Sequence, residues 1–220
     1  MTSFPEAILR RLKTPGVVAG FSVENVEHAV PLANALLAGG IDAIELTLRT
    51  PAAMDGLKAI CADVPDILTG VGTILTPGTV AEVKAAGADF GVAPGMNPRV
   101  VRAAQIAGLP FAPGIATPSD LEAAIELGCR FVKFFPAEAA GGISYLRSLA
   151  APYQHLEIQY FPLGGLNAEN MVDYLKQPNV PAIGGSWIVQ KTLVDNEDWP
   201  GITARASDVI KTLKKAFENE

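Results

Sequence analysis

The sequence predicts an α/β protein, a single-domain (β/α)8 TIM barrel spanning residues 1–220 with a short N-terminal helix at residues 5–13. Two observations carry this. Amphipathic segments and short apolar runs alternate eight times within 220 residues, at the short end of the range for that fold. No G-x-G-x-x-G turn follows the first strand, as an open doubly wound sheet would more often show. No linker, charge block or low-complexity stretch divides the chain.

The repeating unit is visible in "LLAGGIDAIELTL" around Gly40, "AAGADFGVAPG" around Gly87, "IAGLPFAPG" around Gly108 and "ELGCRFVKFFP" around Gly128. In each, a helical pattern ends in Gly, whose left-handed conformation caps a helix, and an apolar run begins. The runs are apolar throughout, as strands covered on both faces must be. They place strands at residues 17–22, 43–48, 67–72, 90–93, 111–113, 131–135, 158–163 and 182–184. Helix starts are predicted after Thr76, Asn97, Thr117 and Asn167. The first three are followed by Pro, the preferred first helical residue.

Composition narrows the function. At 49% hydrophobic and 18% charged, the chain reads as a globular protein with a large core. A net charge of −6 argues against a nucleic-acid or anionic-membrane surface. "RRLK" at Arg10–Lys13 is one basic helical turn. The N-terminus lacks the pattern of a signal peptide, and no apolar run approaches the ~20 residues of a membrane span. Two cysteines, Cys61 and Cys129, read as small core residues in a reducing cytoplasm. With His28 and His155 as the two histidines, a His-rich metal site is not expected, and both are assigned to helix or loop surfaces.

Strand alternation sorts the side chains. In "AIELTLRT", Ala43, Glu45, Thr47 and Arg49 share one face, and Ile44, Leu46 and Leu48 the other. The apolar face packs on helices, so the polar face turns inward. By the same logic Phe131, Lys133 and Phe135 of "RFVKFFP" point inward. A lysine in the least polar stretch of the chain has two readings. It is one member of a buried ion-pair network, which adds little stability. Alternatively, desolvation and Arg49 keep its amine partly unprotonated, and a neutral amine attacks a carbonyl. Gly-Gly turns follow the seventh strand (Gly164, Gly165) and the eighth (Gly184, Gly185, then Ser186), where barrels often bind phosphate. Thr73 ends the third strand and could donate to a carboxylate or cap a turn; Pro94 ends the fourth.

Together, "GGIDAIELTLRT", "GVGTIL", "GVAPG", "PFAPGIATPSDL", "FVKFFPAEAAGG" and "IGGSW" resemble the bacterial 2-keto-3-deoxy-6-phosphogluconate (KDPG) aldolases, also described as 4-hydroxy-2-oxoglutarate (KHG) aldolases. The resemblance runs from about Val17 to Trp187, and the block around Lys133 is its most specific part. It implies a class I aldolase of Entner–Doudoroff carbohydrate metabolism, a homotrimeric barrel needing no metal or organic cofactor, with small-molecule substrates. It implies that Lys133 forms a Schiff base with pyruvate or the 2-keto acid, that Glu45 shuttles protons, and that Arg49 and Thr73 hold the pyruvate carboxylate. Pro94 and Phe135 would line the pyruvyl pocket, and Gly164, Gly165, Gly185 and Ser186 the distal phosphate site. Two departures stand out. Leu163 replaces the Thr common before the Gly-Gly, and the first strand carries Gly20 and Phe21. Both suggest a less polar distal end. Two other readings stay open: a phosphate-binding barrel isomerase or epimerase using Glu45 as base without an imine, and a non-catalytic trimeric barrel.

Overall fold

The computed structural model describes residues 4–218. Among the described residues there are nine strands, separated by helices except between the fifth and sixth: β1 (Val17–Phe21), β2 (Ala43–Thr47), β3 (Leu68–Gly72), β4 (Phe90–Val92), β5 (Phe111–Ala112), β6 (Gly114–Ile115), β7 (Phe131–Phe134), β8 (Gln159–Pro162) and β9 (Ile183–Gly185). Every strand pairing is parallel. Six strands run in the order β5-β4-β3-β2-β1-β9 and three in the order β6-β7-β8. A single bridge between Leu163 and Gly184 joins the end of β8 to β9.

The expected fifth strand is therefore two, and the hydrogen-bonded ladder is open where a closed ring was expected. The break falls on Pro113, which has no N–H to give the ladder. Its carbonyl still accepts from the Lys133 N–H at 2.8 Å. The observed architecture is thus a curled parallel sheet with helices packed outside it.

The helices are α1 (Glu6–Lys13), α2 (Ala29–Ala38), α3 (Ala53–Asp63), α4 (Pro77–Ala85), α5 (Pro98–Ala107), α6 (Pro118–Glu126), α7 (Gly142–Ala150), α8 (Met171–Leu175), α9 (Lys191–Asp195) and α10 (Trp199–Phe217). Among the described residues, no helix is long and apolar enough to cross a membrane. The predicted caps form. Thr76 accepts from the Thr79 N–H, Asn97 from the Arg99 N–H, and Thr117 makes a reciprocal box with Asp120. Gly108 ends α5 in the left-handed region at φ 63°. Asn167 caps a turn, accepting from the Glu169 and Asn170 N–H groups, and α8 begins only at Met171.

Two apolar layers result. Outside the sheet, Val17, Ala19, Phe21, Ile44 and Leu46 pack against helix residues such as Leu32, Leu36 and Leu57. On the concave side, Val18, Leu68, Phe90, Phe131 and Phe161 form a second cluster, closed at one end by Phe4 and by Leu12 of α1. Phe131 is sandwiched there, with ring centroids 4.7 Å from Phe4 and 5.7 Å from Phe161. Phe21 thus belongs to the helix-side layer, and the inward positions of β1 are Val18 and Gly20.

Both cysteines are partly buried, and burial pushes each thiol up to about 11; the Asp89 charge adds to this at Cys61, while Arg130 opposes it at Cys129. The nucleophilic thiolate is therefore scarce at neutral pH. Alkylation of the native protein by iodoacetamide at pH 8, followed by mass spectrometry, should run about 10²-fold slower than for an unhindered thiol. The rate should climb roughly tenfold per unit from pH 8 to 10, and rise sharply in denaturant at any of these pH values.

Candidate active site

Lys133 and Glu45 come from strands on different sheets and meet on the concave side. Lys133 Nζ donates to Glu45 Oε1 at 2.9 Å, with the two residues only 4% and 3% exposed. Strand parity places them: Phe131 lies below Lys133 in the apolar cluster, and Phe135 lies above it. The ammonium also sits 5.1 Å from the centroid of the Phe135 ring, where the ring face attracts a cation. The buried charge is paired with Glu45 directly, whereas the sequence alone pointed to desolvation and Arg49.

Glycines make room for the carboxylate. A Cβ on Gly72 would lie 2.1 Å from Glu45 Oε1, and one on Gly20 would lie 3.5 Å from Oε2. Gly20 is the register partner of Glu45 across β1 and β2. Small residues on both flanking strands therefore leave a slot that the Glu45 side chain fills.

A cavity of about 360 Å³ opens over this pair. Of the residues singled out from the sequence, Glu45, Arg49, Lys133, Phe135, Gly164, Gly185 and Ser186 line it, together with Gly20, Leu163 and Gly184. Thr73, Pro94 and Gly165, also singled out, are not among the lining residues. Thr73 Oγ1 accepts from Arg49 Nε at 3.3 Å and so orients the guanidinium. Thr73 does this at φ 64°, an uncommon conformation for a β-branched residue. The Pro94 backbone packs where a Cβ on Gly114 would be, 2.3 Å away. Gly165 lies against Glu138, whose N–H donates to the Gly164 carbonyl at 3.0 Å and whose carboxylate accepts from Tyr174 at 2.5 Å. Burial and that hydrogen bond push the Tyr174 phenol well above its ordinary value. The "FFPAE" segment thus anchors the Gly-Gly turn.

The cavity also holds residues that the sequence reading left out: Ser22, His28 and Lys191. His28 is not on the outer surface. A short 3-10 turn, Val26–His28, brings it over the mouth, where Nε2 lies 3.4 Å from Glu197 Oε1 and the ring meets Trp199 edge-on. Lys191 pairs with Asp195 at 2.8 Å, and that carboxylate raises the ammonium above its usual range. Of these, Ser22 alone carried a signal: it has the inward parity of Gly20, one pleat further along.

An amine and a carboxylate in contact, shielded from water, with a guanidinium at the cavity wall, can form and protonate an imine on a bound keto acid. The comparisons agree with that class of site. The family model for KDPG and KHG aldolases matches residues 8–205. The 2-dehydro-3-deoxy-phosphogluconate aldolase of Haemophilus influenzae is 38% identical over 97% of this chain and 100% of its own length. The KHG/KDPG aldolase of Escherichia coli K12 is 40% identical over 92% of this chain and 94% of its own. Among solved structures, KDPG aldolase from Legionella pneumophila, with pyruvate captured as a covalent carbinolamine, superposes with a TM-score of 0.87 at 39% identity, over 91% of this chain and 97% of that one. The chain belongs to the KDPG and KHG aldolase family.

Proposed function

We propose that the protein is a class I aldolase that reversibly cleaves KDPG, or a related 4-hydroxy-2-keto acid, to pyruvate and an aldehyde such as glyceraldehyde 3-phosphate. The contact between Lys133 Nζ and Glu45 Oε1 at 2.9 Å carries this reading. Glu45 takes a proton from the ammonium, and the freed amine attacks the C2 ketone to give a carbinolamine. Loss of water, with Glu45 returning the proton to the departing hydroxyl, leaves an iminium. Glu45 then removes the C4 hydroxyl proton, and the C3–C4 bonding electrons flow into the iminium as the aldehyde departs. The resulting enamine is protonated at C3, and hydrolysis releases pyruvate and restores the amine. Positioned proton transfer of this kind contributes roughly 10²–10⁴-fold. The iminium is itself the electron sink, so the scheme requires no metal or organic cofactor.

Arg49, steadied by Thr73, pairs with the pyruvate carboxylate, and Phe135 and Pro94 flank the pyruvyl group. Gly164, Gly165, Gly185 and Ser186 offer backbone and hydroxyl donors to the distal phosphate. Leu163 adds no hydroxyl there and packs against Gly184 instead. An isomerase using Glu45 alone would leave the buried amine without a task.

The same reading takes residues 1–220 as one (β/α)8 domain in which β5 and β6 act as a single strand across Pro113. The Leu163–Gly184 bridge and the likeness to the Legionella enzyme support it. A homotrimer in the cytoplasm follows from the family resemblance and from two unpaired cysteines. Borohydride reduction in the presence of pyruvate, followed by peptide mass spectrometry, should place a stable adduct on Lys133. No adduct, or one on another lysine, would refute the mechanism.

A further inference from the structure

We infer that Ser22 is a specificity residue: it accepts a hydrogen bond from a hydroxyl of the aldehyde fragment, on the carbon next to the aldehyde carbon. The inference rests on the aldolase reading above and deepens it.

Ser22 Oγ lies 2.5 Å from Thr47 Oγ1, and Thr47 Oγ1 lies 3.1 Å from the Phe21 carbonyl oxygen. A hydroxyl has one proton and two lone pairs. The carbonyl can only accept, so the buried Thr47 commits its proton to Phe21. The short contact with Ser22 must then be made by the Ser22 proton, donated to Thr47. Ser22 lines the cavity with its own donor spent and shows its lone pairs to whatever binds. It is an acceptor fixed in place by two neighbouring backbone segments.

An acceptor selects its partner. Pyruvate, with a ketone and an ionised carboxylate, has no O–H to give, and a phosphate dianion has none either. The hydrogen-bond donors of the substrate are the hydroxyls of the aldehyde half. That on C4 gives its proton to Glu45 in the cleavage step. Gly20 faces Glu45 across the sheet, and Ser22 lies two residues beyond it, about 6–7 Å nearer the mouth at the rise of a strand. With the C4 proton committed to Glu45, the C5 hydroxyl is by elimination the donor left for Ser22. Sites built to bond a hydroxyl discriminate against analogues lacking it, because the protein's own polar group is then left unpaired.

The test is the aldol addition of pyruvate to two aldehydes, glyceraldehyde 3-phosphate and its deoxy analogue 3-oxopropyl phosphate. The wild-type enzyme should favour the hydroxylated aldehyde in kcat/KM by about tenfold or more. Ser22→Ala should bring that ratio close to one, mainly by slowing the hydroxylated substrate, and Ser22→Thr, which keeps the oxygen, should restore most of it. An unchanged ratio in Ser22→Ala, or no preference in the wild type, overturns the inference. Exchange of the pyruvate methyl protons with deuterated water, followed by NMR, separates the two levels. If the wild type shows no exchange, the aldolase reading itself fails. If Ser22→Ala loses exchange in proportion to addition, the residue acts on the pyruvate half and the assignment to the aldehyde is wrong.

Discussion

Lys133→Ala is expected to lose cleavage activity by about 10⁴-fold or more, since no other group can replace a covalent nucleophile. The same change should lower stability by about 3–5 kcal/mol in urea unfolding, because it leaves the Glu45 carboxylate buried without its partner. These two effects need separating. Lys133→Arg keeps a cation at that position but cannot form an imine, because guanidinium does not lose its proton in a protein. It should therefore regain part of the stability, less roughly 1–3 kcal/mol for the bulkier side chain, and remain as inactive as the alanine variant in a coupled assay for pyruvate release. Substantial cleavage by Lys133→Arg would mean that the charge, not the nucleophile, is what the reaction uses. The isomerase reading would then return.

The α/β sheet and the Lys133–Glu45 pair were legible for one reason: strand parity is a strict rule wherever a strand is covered on both faces. The alternation in "AIELTLRT" and "RFVKFFP" was enough to turn Glu45 and Lys133 to the same side, 88 residues apart in sequence. Parity does not report length or closure. The seventh strand, expected over residues 158–163, is regular over Gln159–Pro162, with Leu163 adding an isolated bridge to Gly184, and the fifth split at Pro113. Side chains from different loops were harder still. His28 reached the cavity mouth through a 3-10 turn held by the Asn25 side chain, a local geometry that no periodic pattern signals. Phe21 packs in the helix-side layer, as its odd position dictates, and still borders the cavity as its place in the sequence suggested. Thr73 and Pro94 were found as strand ends, but whether such residues touch the cavity or brace those that do depends on backbone angles such as the positive φ of Thr73.

Gly72→Ala should test whether the position of Glu45, and not merely its presence, drives the chemistry. The new methyl would lie 2.1 Å from Oε1, 2.8 Å from Cδ and 3.0 Å from Cγ of Glu45. The carboxylate must therefore shift by an ångström or so, and its bond to Lys133 is broken or lengthened. A displacement of that size in a reacting group costs about 10²-fold, and overpacking of this kind costs roughly 1–3 kcal/mol in stability. Gly70→Ala supplies the comparison. It lies on the same strand, one pleat deeper and opposite Glu45 in register, and the nearest atoms to its added methyl would be carbons of the Phe90 ring, the first at 2.2 Å. Both variants should lose similar stability in thermal unfolding. Only Gly72→Ala should lose kcat by two orders of magnitude, while Gly70→Ala stays within several-fold of the wild type. Equal losses of activity in the two would show that strain in β3 is transmitted generally, and the slot between Gly20 and Gly72 would no longer explain why the carboxylate stands where it does.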